Sequence, residues 1–209
     1  MRSEDVVALL GRTRILPVLA VANADQAEAA CLALLAGGVA CAEITFRTDA
    51  AVDAIRRVSG INGLLVGAGT VLSSEQAYLA AEAGASFAVA PGTNESVVAA
   101  CQEVGLPFFP GVATPSEIER ARTLGCRTLK VFPASTVGGV AFLRAVSATY
   151  PDVRFIPTGG IGPANLSEYL SVPSVLACGG SWLCDKGLLA GGRYDEVERL
   201  AREAVGLVE

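Results

Sequence analysis

The chain has 209 residues, 52% of them apolar, and a formal net charge of −5. That is enough for one domain with a sizeable core, and its 14 arginines and 2 lysines are scattered, so no basic run suits nucleic acid or an anionic membrane surface. There is no histidine, which removes Ser-His and Cys-His nucleophile systems and the commonest catalytic metal ligand together.

The leading segment MRSEDVVALLGRTR has acidic residues where a signal peptide has its apolar core, and its periodicity predicts a short helix near Ser3 to Leu10. Eight compact apolar runs follow: RILPVLAV, CAEITF, LLVGAGT, FAVAP, PFFPGV, TLKVFP, RFIPTGG and SVLACGG. They recur every 20 to 26 residues or so, as strand-plus-helix units do. Stretches with helical periodicity lie between them, among them 25–36, 74–83, 94–104 and 116–124, most closed by glycine. No proline-rich, serine-rich or charged linker interrupts the series, so residues 1–209 read as a single domain. Eight βα units predict an α/β fold, a (β/α)8 TIM barrel with a short N-terminal helix, over a doubly wound open sheet. The longest uncharged stretch, 29–42, is too short to span a bilayer. Cys31, Cys41, Cys101, Cys126, Cys178 and Cys184 lie mostly in apolar runs with no CxxC pair and read as reduced core residues of a cytoplasmic protein. The high apolar fraction is also compatible with surface buried between identical subunits.

Side chains alternate along a strand, which fixes what faces the barrel interior. In CAEITFR, Glu43, Thr45 and Arg47 share one face; in TLKVFP, Thr128, Lys130 and Phe132 share one, with Leu129 and Val131 toward the helices. Lys130 therefore points inward. Desolvation disfavours the ammonium form, and a neutral amine is a nucleophile. The alternative is a structural ion pair with Glu43. Against it stands the scarcity of lysine, since the only other one, Lys186, follows Asp185 in what reads as a solvated loop. Glu43 is the one carboxylate within the eight runs and the natural proton shuttle for imine chemistry. Arg47, nearer the C-terminal mouth, has the fork to hold a substrate carboxylate, or else forms a rim salt bridge. PTGGIG and CGGSW place paired glycines after the last two strands, where barrels commonly hold phosphate. Each pair alone is weak evidence, since a simple tight turn reads better, but two of them after strands 7 and 8 of the same barrel are much stronger.

At these residues the chain resembles the 2-keto-3-deoxy-6-phosphogluconate (KDPG) and 4-hydroxy-2-oxoglutarate aldolases over nearly its whole length. GVACAEITFR (38–47) is similar to the family's first active-site segment and GCRTLKVFPAS (125–135) to its Schiff-base segment, with GAGTV, VAPG, PTGGI and GGSWL in the expected order. One departure is Val131, where the family more often has leucine or phenylalanine; it faces the helices and leaves the chemistry alone.

The resemblance implies that Lys130 forms the imine and Glu43 is the general acid/base. Arg47 and Thr70 would bind the pyruvyl carboxylate, Pro91 and Phe132 would pack the pocket, and Thr158, Gly159, Gly160, Gly179, Gly180 and Ser181 would receive the far end of the substrate and its phosphate. It further implies a class I aldehyde-lyase of the Entner-Doudoroff route of carbohydrate breakdown. Such an enzyme is a cytoplasmic homotrimer without metal or cofactor, yielding pyruvate and glyceraldehyde 3-phosphate from a phosphorylated keto sugar acid. Open alternatives are the same chemistry on the galactonate epimer or on 4-hydroxy-2-oxoglutarate, a phosphosugar isomerase or epimerase, and a non-catalytic phosphosugar-binding barrel.

Overall fold

In the computed structural model, which describes residues 1–208, every apolar run contributes a strand. These are β1 (Ile15–Leu19), β2 (Cys41–Thr45), β3 (Leu65–Gly69), β4 (Phe87–Val89), β5 (Phe108–Phe109), β6 (Gly111–Val112), β7 (Thr128–Val131), β8 (Arg154–Pro157) and β9 (Cys178–Gly180), and all pairings are parallel. The leading helix α1 (Ser3–Thr13) runs three residues past Leu10. Helices α2 (Ala24–Ala36), α3 (Ala51–Val58), α4 (Ser74–Glu82), α5 (Glu95–Glu103), α6 (Pro115–Thr123), α7 (Gly139–Thr149) and α8 (Leu166–Leu170) alternate with the strands. After β9, α9 (Lys186–Ala190) and α10 (Tyr194–Gly206) close the chain. Lys186 is exposed, as expected, but opens a short helix capped by Asp185 instead of lying in a loop.

Short polar side chains start α2, α4 and α6 by satisfying amides of the first turn. Asn23 accepts from Gln26 N, Ser73 from Gln76 N and Thr114 from Glu117 N. The third residue reaches back each time: Gln26 accepts from Ala22 N, Gln76 from Leu72 N, and Glu117 from both Ala113 and Thr114 N. This reciprocal bonding gives those three helices the same strand-to-helix turn.

The expected eight-stranded closed TIM barrel requires correction. The strands form two sheets, a six-stranded half-barrel in the order β5-β4-β3-β2-β1-β9 and a three-stranded sheet β6-β7-β8. One cause is Pro110. Having no N–H, it divides the fifth apolar run into β5, which pairs with β4, and β6, which pairs with β7. At the other seam, glycine-rich β9 spans only three residues and pairs with β1, while it and its lead-in meet the β8 region through the isolated bridges Phe155↔Val175 and Thr158↔Gly179 and not through a continuous ladder.

Helix-facing and sheet-facing apolar residues share one core, with Phe87, Phe109 and Phe155 among its largest fully buried side chains. The Phe87 and Phe109 rings lie 5.7 Å apart. All six cysteines are free thiols, five of them buried and Cys126 half-buried. Burial pushes the thiols of Cys31, Cys41, Cys101 and Cys178 up to about 12, and that of Cys184 up as well. Iodoacetamide at pH 8 should therefore label the native protein only at Cys126, and all six positions after denaturation, as read by intact mass. Labelling of several cysteines in the folded protein would contradict this packing. The linkage sign follows from the raised values: the unfolded chain loses these protons first, near the ordinary value of 9. Their contribution to stability is thus complete below pH 9 and is lost as pH climbs toward 12. No helix among the described residues is long and apolar enough to cross a membrane.

Candidate active site

Glu43 lies at the centre of β2, in register with Val18 of β1 and Gly67 of β3. Lys130 lies in β7, between Gly111 of β6 and Ile156 of β8. Strand alternation turns both away from the helices, and the two sheets meet through them: Lys130 Nζ is 3.2 Å from Glu43 Oε1 and 3.5 Å from Oε2. Lys130 is 4% exposed and Glu43 0%. An amine and a carboxyl at this distance, shielded from water, can exchange a proton directly, as imine chemistry requires.

Room for the pair comes from a glycine. A Cβ on Gly69, at the end of β3, would fall 2.1 Å from Glu43 Oε1 and 2.5 Å from its Cγ. Gly69→Ala must therefore displace the carboxyl from Lys130. A misplacement of this kind should lower turnover by about 10²-fold in a protein that still folds; an unchanged rate, measured on a variant with normal circular dichroism, would contradict the geometry. Thr70 follows at φ 58°, a left-handed conformation that costs a β-branched residue about 1–3 kcal/mol.

A cavity of about 140 Å³ is lined by Val18, Arg47, Phe132, Thr158, Gly159, Gly160, Ile161, Gly180 and Ser181; Lys130 and Glu43 are not in its lining, but it adjoins them through Phe132, two residues beyond Lys130, and Val18, the register partner of Glu43. Seven of the residues expected from sequence are thus brought together in its wall. Gly179 lies beneath it, where a Cβ would sit 2.1 Å from Thr158 Oγ1. Phe132, 38% exposed, has its ring centroid 5.8 Å from Lys130 Nζ. Arg47 is exposed and donates from Nε to Thr45 Oγ1 at 3.2 Å. Among the described residues it has no carboxylate within ion-pair distance, so the rim salt bridge is not formed. Thr70 and Pro91 are not part of this wall: Thr70 adjoins Gly69, and the Pro91 carbonyl packs where a Cβ on Gly111 would be, at 2.1 Å.

The glycine turn at the cavity mouth is held by its carbonyls. Gly159 O accepts from Ser135 N at 3.1 Å and Gly160 O from Asn165 Nδ2 at 2.9 Å. Both glycines are in the left-handed region, at φ 101° and 75°. Their N–H groups, and that of Ser181, have no protein acceptor among the described residues. Three backbone donors at one rim suit an anion. Sequence reasoning missed Val18 and Ile161, which carry no chemical signal, and Gly69, whose importance is visible only beside Glu43.

Residues 6–200 match the family model described as KDPG and KHG aldolase. A 2-dehydro-3-deoxy-phosphogluconate aldolase of Haemophilus influenzae is 40% identical over 208 residues, covering 99% of this chain and 98% of that protein. Two solved structures are also similar. The KDPG aldolase of Legionella pneumophila, with pyruvate captured as a covalent carbinolamine, superposes with a TM-score of 0.90 at 34% identity over 94% of this chain and 96% of that one. The aldolase of Zymomonas mobilis with 3-phosphoglycerate gives 0.91 at 34% identity over 98% and 97%. A buried lysine–glutamate pair beside a glycine-rimmed cavity, in a chain so matched along its length, makes this protein a member of the KDPG and KHG aldolase family of lyases.

Proposed function

We propose that the chain is a class I aldolase that cleaves 2-dehydro-3-deoxy-6-phosphogluconate to pyruvate and glyceraldehyde 3-phosphate through an imine on Lys130. The observation that carries this reading is the buried Lys130–Glu43 contact of 3.2 Å, with Phe132 of the cavity wall 5.8 Å from the amine. Lys130 Nζ attacks the C2 ketone, and Glu43 donates a proton as the carbinolamine loses water, leaving a protonated imine that serves as an electron sink. Glu43 then accepts the proton of the C4 hydroxyl. The C3–C4 bond breaks, its electron pair enters the enamine, and glyceraldehyde 3-phosphate departs. Glu43 returns the proton to C3, and water hydrolyses the pyruvyl imine, restoring the free amine. Every step is a proton transfer or a carbonyl addition or elimination, and the imine supplies the electron sink itself.

Around this centre, Arg47 and Thr70 hold the carboxylate next to C2, Phe132 and Pro91 pack the carbon chain, and Thr158 faces its hydroxyls. The phosphate is received by the N–H groups of Gly159, Gly160 and Ser181, with Gly179 and Gly180 keeping the backbone close. The Zymomonas relative's structure holds a three-carbon phosphorylated acid, of the same class as the phosphate-bearing half of the proposed substrate. We further infer a single-domain homotrimer acting in the cytoplasm; the exposed Leu32 and Leu72 are apolar surface that subunit association would cover. A second substrate, 4-hydroxy-2-oxoglutarate, is favoured by the family description itself: its distal carboxylate would meet the same N–H groups. The test is product analysis with the gluconate, its galactonate epimer and 4-hydroxy-2-oxoglutarate. Pyruvate and the complementary aldehyde in equal amounts (glyceraldehyde 3-phosphate from the phosphorylated acids, glyoxylate from 4-hydroxy-2-oxoglutarate), fastest from the gluconate, are expected. Tight binding of the phosphorylated acids with none consumed would favour a phosphosugar sensor instead.

A further inference from the structure

We infer that Thr45 is a positioning residue, aiming the Arg47 guanidinium at the substrate carboxylate and thereby setting the preference for 2-oxo acids over neutral ketones. This rests on the role of Arg47 proposed above. Thr45 is the last residue of β2, on the face that carries Glu43, and is 1% exposed. Its single hydroxyl proton is committed to Leu19 O at 2.8 Å. With the proton so placed, the oxygen offers its lone pairs outward, and Arg47 Nε donates to it at 3.2 Å. The β-branch restricts the rotation of Thr45, so the direction of this acceptor is set by the strand itself.

Arg47 needs such a hold. It is exposed, long and rich in rotamers, and no other side chain among the described residues bonds to it. Anchoring Nε turns a mobile cation into a fork with its Nη groups available to a carboxylate. The backbone beside it has an independent tie, from Thr48 Oγ1 to Val21 O at 2.8 Å. Loss of the Thr45 hydroxyl should therefore release the guanidinium while leaving the loop in place.

The experiment compares borohydride trapping of pyruvate and of pyruvamide, its neutral isostere, as a function of ligand concentration. The wild type should favour pyruvate. Thr45→Val should raise the half-saturating pyruvate concentration about tenfold while moving that for pyruvamide by less than about twofold, the size of one hydrogen bond to a charged group. The trapping rate at saturation should change little, and Thr45→Ser should restore the preference. Thr45→Ala makes the same deletion should the valine variant not fold, as judged by circular dichroism. Equal weakening toward both ligands would mean that Thr45 only supports the fold, and an unchanged pyruvate preference would mean that Arg47 needs no such hold; either overturns the inference. Arg47→Met separates the two levels. If it abolishes the preference and Thr45→Val does not, this inference alone fails; if it leaves the preference intact, the carboxylate role of Arg47 fails with it.

Discussion

Lys130→Met should abolish aldol cleavage, because the buried amine is gone. Deleting the nucleophile of a covalent mechanism costs on the order of 10⁴-fold or more, and here it also removes the electron sink, so no slower route through the same intermediate remains. The substitution has a second expected effect. Glu43, fully buried, has Lys130 as its salt-bridge partner, and stranding a buried charge typically costs about 3–5 kcal/mol. For a chain of this size that corresponds to a fall of roughly 10 °C in melting temperature. Combining Lys130→Met with Glu43→Leu should recover much of that loss, since an apolar pair of similar volume no longer contains an unpaired charge. Lys130→Arg keeps the positive charge but has no nucleophilic amine, and should be equally inactive. Measured together, initial rates and melting curves separate chemistry from folding: an active Lys130→Arg variant would remove the lysine from the mechanism.

Glu43→Gln should lower the cleavage rate by about 10²- to 10⁴-fold, the usual contribution of a general acid/base. Glutamine fills the same space beside Gly69 and can still accept from Lys130 Nζ, so the variant should fold. What it lacks is a transferable proton. The effect should therefore fall on every step in which a proton moves to or from carbon or oxygen, while Lys130 retains its nucleophilic nitrogen. Trapping of pyruvate on Lys130 should persist in Glu43→Gln at a reduced rate, whereas exchange of the pyruvate methyl protons with solvent deuterium should nearly cease. Full cleavage activity in this variant would transfer the acid/base role to another group or to water.

The chemistry of the site was more legible in the sequence than its architecture. Glu43 and Lys130 could be placed on inward faces because a strand has a period of two, and that local rule is independent of how the sheets close. The resulting contact of 3.2 Å joins residues 87 positions apart. Closure itself depends on register between distant strands. The run PFFPGV contains the proline that divides it, yet its apolar pattern reads as one strand, and only the pairing of Phe108–Phe109 with β4 and Gly111–Val112 with β7 exposes the break. Glycine pairs signalled a close approach of backbone without saying to what. Gly159 and Gly160 line the cavity, whereas Gly179 leaves room for Thr158. Gly69 carried no distinguishing mark within GAGTV, because its constraint is imposed by a side chain on the neighbouring strand. Thr70 and Pro91, carried over by resemblance, stand at strand ends outside the cavity wall; nothing in their local sequence specifies that distance.

The central claim is that Lys130 forms a covalent imine, and reduction by borohydride in the presence of pyruvate tests it most directly. The expected result is one pyruvate-derived adduct per chain, mapped to the peptide containing Lys130 and absent from Lys130→Met. The chain's other lysine, Lys186, is exposed on the far side of β9 in sequence and should remain unmodified. A folded protein that binds the phosphorylated acid yet shows no adduct, or one labelled at Lys186 alone, would contradict the mechanism.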